Sequence, residues 1–358
     1  MRREDSKEIA IVSAGLYSDT GGPSIVIADL IESLFNLGYE INVFTPNGKI
    51  HSNITAQSEK GRARFHYFKG YFRYKFNLSA IRKAYEIIGR SNIVWIHGLF
   101  QWPTLLCFVI AILRRKEVIV TPHGVLTKGM LRQKWLKKKV FGFFDIILIK
   151  SYQKVSIHFL SEKEEKESIP LLSRSFIMPN IVRFSLRKNY FNSKICFIGR
   201  LNAIKGIDDL ISVNSHEIDI YGIDDGNYKD AIDSTNHLNY CGELEHKNVE
   251  ETLEKYEAMI LPSYGEGLPT SIIEAALSGR LLIISNETNL NYYRDEENCI
   301  MFPAGNSGLL DALERYGEMD KRRRKEMVMK SIKTANRFYS EGAVIEKLSE
   351  VLDEYFHE

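Results

Sequence analysis

The sequence is poor in the markers of several common chemistries. Its four cysteines, Cys107, Cys196, Cys241 and Cys299, stand far apart and form no C-x-x-C pair. That excludes a zinc site built on cysteine pairs. Cys107 and Cys196 lie in apolar runs and read as small core residues, and the usage fits a reducing compartment. No Gly-x-x-x-x-Gly-Lys-Ser/Thr loop and no Gly-x-Ser-x-Gly elbow occurs, which counts against ATPase and serine-hydrolase chemistry. Asp-x-Asp is missing as well, so no metal clamp of that kind is expected. The longest apolar run, Leu105–Leu113, is too short to span a bilayer. Met1–Glu8 leads straight into strand-like Ile9–Val12 with no apolar h-region. The expectation is a cytoplasmic chain whose membrane contact, if any, is peripheral on the inner face.

What is present is an ordinary soluble composition with an uneven charge. The 358 residues are 44% hydrophobic and 26% charged, enough for one large domain or two of common size. Residues 1–180 carry 27 Lys+Arg against 15 Asp+Glu, and residues 181–358 carry 21 against 31. Two readings fit this split: modules with different partners, the basic one meeting an anionic membrane or a phosphorylated acceptor, or two solvated surfaces of opposite sign.

Strand-like and helix-like segments alternate. Strands are expected at Ile9–Ser13, Ile41–Thr45, Ala63–Phe68, Ile93–His97, Val118–Thr121 and Val155–Leu160. Helical periodicity separates them, as in Ser24–Leu37, where Ile27, Leu30, Ile31 and Leu34 share a face. Met178-Pro-Asn180 closes this module, and Arg183–Asn192 reads as a linker. The pattern restarts at Lys194–Ile198 and continues through Ile218–Tyr221, Met259–Leu261, Leu281–Ser285 and Ile300–Phe302. The fold class is therefore α/β: two Rossmann-like, doubly wound domains facing a cleft, residues 1–182 and 193–340, with a final helix at 341–358 packing back toward the first domain. Lys321-Arg-Arg-Arg-Lys325 reads as a solvated helix face or a lipid contact.

Three segments carry chemistry. Gly21-Gly22-Pro23 follows the first strand, where glycines let a ligand approach the backbone and Pro23 suits a first helical turn. In Gly199-Arg200…Lys205-Gly206 a strand ends and two cations follow, each beside a glycine. Arg200 can fork onto phosphate oxygens and Lys205 adds a point charge. Tyr264-Gly-Glu266-Gly-Leu-Pro-Thr270-Ser271-Ile-Ile-Glu274 is a loop running into a helix start. Amides near Thr270 and Ser271 would face phosphate, Glu266 would reach a sugar, and Glu274 could accept two ribose hydroxyl hydrogens. His123, in Thr121-Pro-His-Gly124, and His97-Gly98 both end strands, where sites form.

Together these segments resemble the family 4 glycosyltransferases, which have the GT-B fold. The likeness covers most of the chain and is densest from Phe197 to Asn298. Val94–Trp102 and Thr121–Gly124 look like bacterial members that build surface polysaccharides. The resemblance implies a retaining, metal-independent transfer from a nucleotide-diphosphate sugar, such as a UDP- or GDP-sugar, through an oxocarbenium-like state. The donor is a substrate, so no cofactor is expected. It implies that Arg200 and Lys205 hold the diphosphate, Glu274 binds ribose, and Glu266 contacts the donor sugar. Gly22 lies near the phosphates and acceptor, and His123 touches the sugar. The expected partners are the donor and a saccharide acceptor, plausibly polyprenyl-diphosphate-linked, with no nucleic acid. Lys134 and Lys137–Lys139, before apolar Val140–Phe144, are a candidate lipid-facing patch or an amphipathic surface helix. Two places depart from the family. Glu287-Thr-Asn-Leu-Asn291 stands where Gly-Gly-x-Pro-Glu is usual, and Gly222-Ile-Asp-Asp-Gly226 stands where Gly-x-Gly is usual. A soluble glucan-synthase-like enzyme, a sugar-phosphate transferase, or a donor-binding subunit without turnover are the alternatives.

Overall fold

Short β-branched runs and amphipathic segments alternate along the chain because each strand must be covered on both faces. The computed structural model describes residues 7–17, 22–68, 78–127, 135–171, 173–184 and 194–356. It divides into two units: Met1–Ile181 together with Ile345–Glu358, and Val182–Val344.

The first unit holds a seven-stranded sheet of order β3-β2-β1-β4-β5-β6-β7. Its strands are β1 (Glu8–Ser13), β2 (Glu40–Pro46), β3 (Arg64–Phe68), β4 (Ile93–His97), β5 (Glu117–Thr121), β6 (Val155–Phe159) and β7 (Arg174–Ile177). Every pairing is parallel; Ile11 of β1 sits between Val43 and Trp95. β4 and β6 are buried along their whole length, as sheets with helices on both faces require. The helices are α1 (Gly22–Asn36), α2 (Ser52–Glu59), α3 (Leu78–Arg90), α4 (Trp102–Leu113), α5 (Trp135–Ser151) and α6 (Glu162–Glu167). Pro103 sits in the first turn of α4, where its missing N–H costs nothing.

The second unit holds a six-stranded sheet of order β10-β9-β8-β11-β12-β13. Its strands are β8 (Ile195–Ile198), β9 (Ile218–Tyr221), β10 (Leu238–Gly242), β11 (Ala258–Leu261), β12 (Leu281–Ser285) and β13 (Ile300–Phe302). Helices α7 (Ile207–Ser212), α8 (Lys229–Asp233), α9 (Val249–Leu253), α10 (Thr270–Leu277), α11 (Asn306–Glu318) and α12 (Lys321–Phe338) cover it. The last helix, α13 (Glu341–Phe356), starts in this unit, where Arg183 pairs with Glu341 at 3.0 Å. From Ile345 onward it belongs to the first unit. There Phe356 packs on Tyr39, ring centroids 5.3 Å apart, and Lys7 lies over the Phe356 ring.

Two strands were not expected from the sequence, β7 and β10. Both are edge strands with exposed residues, so neither shows the apolar run that betrays a central strand. The basic run at the start of α12 is not a uniformly solvated face. Arg324 turns inward, 3.2 Å from the buried Glu257 and stacked over Tyr316. Arg322 and Arg323 pair with Glu326 and Glu296. No helix among the described residues is long and apolar enough to cross a membrane. Lys134 lies outside the described residues, as does Gly21; Lys137–Lys139 fall within α5.

Candidate active site

In the second unit the strand order reverses between β8 and β11. From β8 the chain winds outward through β9 and β10, and from β11 it winds the other way through β12 and β13. The β8/β11 boundary is therefore the topological switch point of the sheet, the place where open α/β sheets bind ligands beyond the carboxyl ends of their strands. The loop after β8 carries Arg200 and then a 3-10 turn, Ala203–Lys205. Asn202 caps that turn by accepting from the Lys205 N–H at 3.1 Å. Gly206 ends it with φ +74°, and a Cβ there would lie 2.2 Å from the Pro262 carbonyl oxygen. Only glycine lets the two loops approach so closely.

That approach brings Lys205 and Glu266 together. Lys205 Nζ donates to Glu266 Oε1 at 2.5 Å, and Ser263 Oγ donates to the same oxygen at 2.7 Å. Both side chains remain partly exposed, at 21% and 12%. A cation is thus held at the switch point by a carboxylate, in a pair that solvent still reaches. Arg200 lies on the adjoining loop, 3.4 Å from Asp225 in the loop after β9. The two loops touch backbone to backbone: a Cβ at Gly222 would fall 1.7 Å from the Gly199 carbonyl oxygen. In the Gly222–Gly226 segment the first glycine makes this close approach.

Thr270 and Ser271 are the first two residues of α10, which follows Pro269 with no side-chain cap. The early N–H groups of such a helix are left for solvent or an anion. Glu274 lies one turn further on and is 4% exposed. His246, from the 3-10 turn His246–Asn248 after β10, meets Glu274 Oε1 at 3.0 Å. This partner was missed; a lone histidine 28 positions upstream of Glu274 gives no local signal. Asn289 was missed too. It sits at φ +59° and its Nδ2 donates to the backbone carbonyl of Glu266, while the Glu266 N–H donates to the Glu287 carbonyl at 3.1 Å. The unusual Glu287–Asn291 segment therefore fixes the Glu266 loop. Asparagine's tolerance of left-handed backbone was the available clue.

In the first unit the strand order reverses between β1 and β4. Gly22 opens α1 after β1. His97 ends β4, and His123 follows β5 at φ +52°, an uncommon backbone for a residue with a Cβ. His97 Nδ1 and His123 Nε2 are 3.2 Å apart. Beneath them, Trp95 Nε1 donates to Thr121 Oγ1 at 2.8 Å, and Thr121 Oγ1 meets His158 Nδ1 at 2.9 Å. His158 Nε2 meets the Met178 carbonyl at 2.7 Å. A carbonyl only accepts, so His158 carries its proton on Nε2 and accepts from Thr121. Burial lowers His123 and His158 to about 4 and His97 well below the usual imidazole range. Buried carboxylates hold the loops. Glu164 accepts from the N–H groups of Gly124 and Leu160 at 2.5 and 2.7 Å, and Asp145 accepts from Phe100 N–H at 2.7 Å. No cluster of metal-ligating side chains occurs among the described residues.

Comparison with known proteins adds to this geometry. The family model "Glycosyltransferase Family 4" matches residues 20–156, and "Glycosyl transferases group 1" matches residues 192–317. No curated protein matches the chain. Among solved structures, sucrose-phosphate synthase from Thermosynechococcus elongatus is 15% identical, with 98% of this chain and 99% of that one covered and a TM-score of 0.76. HepE from Anabaena, solved with UDP and glucose, is 13% identical over 97% of this chain and 100% of that one, TM-score 0.77. The lipopolysaccharide outer core galactosyltransferase WaaB is 15% identical over 97% and 99%, TM-score 0.66. One family model falls on each Rossmann-like unit, and the chain belongs to the family 4 and group 1 glycosyltransferases of the GT-B fold.

Proposed function

We propose that this glycosyltransferase moves a sugar, with retention and without a metal, from a nucleotide-diphosphate sugar to a hydroxyl of a growing, lipid-linked bacterial envelope saccharide. The Lys205–Glu266 contact at the β8/β11 switch point carries the reading. A leaving diphosphate develops charge as the sugar–oxygen bond breaks, and fixed cations stabilise that charge where it forms. Lys205 and Arg200 are assigned to the diphosphate, together with the Thr270 and Ser271 amides and the Gly22 backbone. Freed from Lys205 by the anion, Glu266 turns its carboxylate to the sugar hydroxyls. Glu274 takes the ribose, and His123, kept neutral by burial, is assigned to the transferred sugar. The departing phosphate accepts the proton of the acceptor hydroxyl, so no enzymic nucleophile is required.

HepE was solved with UDP and glucose and WaaB acts on lipopolysaccharide; these likenesses support a UDP-sugar donor and an envelope acceptor. The likeness to sucrose-phosphate synthase favours a second reading, a small soluble acceptor. Thermal shift with UDP-, GDP- and ADP-sugars identifies the donor through the stabilisation that binding confers. Transfer is then assayed with lipid-linked and soluble acceptors, with and without EDTA, and the anomer is read by NMR. Transfer with retention to the lipid-linked acceptor, insensitive to EDTA and lost in Glu274→Ala, is the expected result. Transfer only to soluble sugars selects the second reading. Donor affinity unchanged in both Arg200→Ala and Lys205→Ala overturns the diphosphate assignment.

A further inference from the structure

A buried carboxylate needs partners that keep it ionised and aimed. Glu274 has one, His246, and it comes from far along the chain. The loop after β10 carries His246 to α10, and α10 follows β11 on the other side of the switch point. The bond has a fixed direction. A carboxylate oxygen only accepts, so His246 Nε2 carries the proton and donates to Oε1. Among the described residues the other oxygen of Glu274 has no hydrogen-bond partner, and it is not sealed from solvent. One oxygen is thus spent on orientation and the other is left open. His246 is itself a quarter exposed, so the pair reaches the surface of the unit through its imidazole.

We infer that His246 is a positioning residue that aims the open oxygen of Glu274 at the ribose hydroxyls of the bound nucleotide, and so sets the preference for ribo- over deoxyribonucleotides. This rests on the assignment of Glu274 to the ribose. A cis-diol donates two hydrogens, and a carboxylate takes both only if its plane is fixed. Without His246 the Glu274 side chain regains its rotamers and its second oxygen competes for solvent. The sugar preference then weakens, while the diphosphate half of the site, held by Lys205 and Arg200, is untouched.

The test is calorimetric. UDP, GDP and ADP are titrated into the full-length protein, and the tightest binder is compared with its 2′-deoxy counterpart and with inorganic pyrophosphate. Wild type is expected to bind the ribonucleotide roughly 10–100-fold more tightly than the deoxy form, the range of a lost hydrogen bond to a charged group. His246→Ala is expected to reduce that ratio to below about 3-fold with pyrophosphate affinity unchanged. His246→Gln, whose amide can donate to the same oxygen, is expected to restore most of the ratio. A merely structural ion pair would lower the melting temperature and leave the ratio alone. If wild type shows no preference, the ribose assignment of Glu274 fails and the inference falls with it. If wild type discriminates and His246→Ala discriminates equally, the inference about His246 is overturned while the assignment of Glu274 stands. If His246→Ala unfolds, the Gln variant decides: folded protein with the ratio lost also overturns it.

Discussion

The two units share a strand topology and put opposite electrostatics at their strand ends. In the first unit, His97 and His158 are buried and His123 is partly exposed, desolvation holds all three neutral, and the loops beside them are fastened by the carboxylates of Asp145 and Glu164. In the second, Arg200, Lys205 and Glu266 are partly exposed and pair with acids or bases of neighbouring loops. The first arrangement fixes shape: His158, Asp145 and Glu164 are each tied to backbone groups inside the unit. The second is exchangeable, since its ion pairs keep contact with solvent, at 39% and 36% exposure for Arg200–Asp225 and 21% and 12% for Lys205–Glu266, and an anion can compete for one member. It is notable that the acidic half of the sequence carries the cationic site. Global charge says little about the local field, which loop geometry sets.

The largest effect should come from breaking the exchangeable side. Lys205→Ala removes a cation aimed at developing charge, and kcat/KM should fall about 10²–10³-fold, or roughly 3–4 kcal/mol of transition-state stabilisation. Its melting temperature should stay close to wild type, because the lost pair is partly solvated. A Lys205→Ala protein that loses several degrees with activity intact would show the contact to be a structural tie, and the contrast between the units would collapse.

The next test addresses the neutral side. All three tryptophans, Trp95, Trp102 and Trp135, fall in the first unit, so tryptophan fluorescence in urea reports that unit alone. His123 and His158 are lowered to about 4 by burial, whereas an unfolded histidine titrates near 6.5. Between these values the unfolded chain binds more protons, so stability is full above about pH 6.5 and is lost as pH falls toward 4. Each group contributes up to about 3 kcal/mol of this loss. A urea midpoint that stays flat from pH 7 to pH 4.5 would mean that the histidines are not held neutral.

Much of this was legible before the structure, and the exceptions have physical causes. Central strands such as Ile93–His97 and Leu281–Ser285 were visible because burial on both faces leaves an unbroken apolar run. The edge strands β7 and β10 were not, since exposed residues interrupt their apolar pattern. Arg200, Lys205, Glu266 and Glu274 could be singled out as candidates because each stands beside a glycine or a helix start, features set by local backbone. The residues that hold them were not. His246, Asn289 and Ser263 act through contacts that depend on how loops from different strands meet, and no spacing within one segment encodes that. Arg324 shows the same limit, because a five-residue basic run gives no sign that its fourth member is buried against Glu257.

A smaller effect, of opposite sign, sharpens the comparison within the first unit. Asp145 is fully buried, with one oxygen accepting from Phe100 N–H and the other unpartnered. Burial raises its carboxyl to about 6, and the Phe100 bond only partly offsets that. Here the native state binds the extra proton, so the stabilising contribution is complete below about pH 4 and is lost as pH rises through 6. Above pH 6 an ionised, half-satisfied carboxylate remains, which the fold tolerates because Phe100 sits at φ +65° and its N–H needs an acceptor. Asp145→Asn keeps that acceptor and removes the charge. The variant should be about 2 kcal/mol more stable than wild type at pH 7.5 and equal to it near pH 4. Between those values its tryptophan-detected stability should fall more steeply than wild type's, because nothing then opposes the histidines. An Asn variant less stable than wild type at pH 7.5 would show that the charge itself holds the Phe100 loop, and the first unit's strand ends would no longer count as neutral.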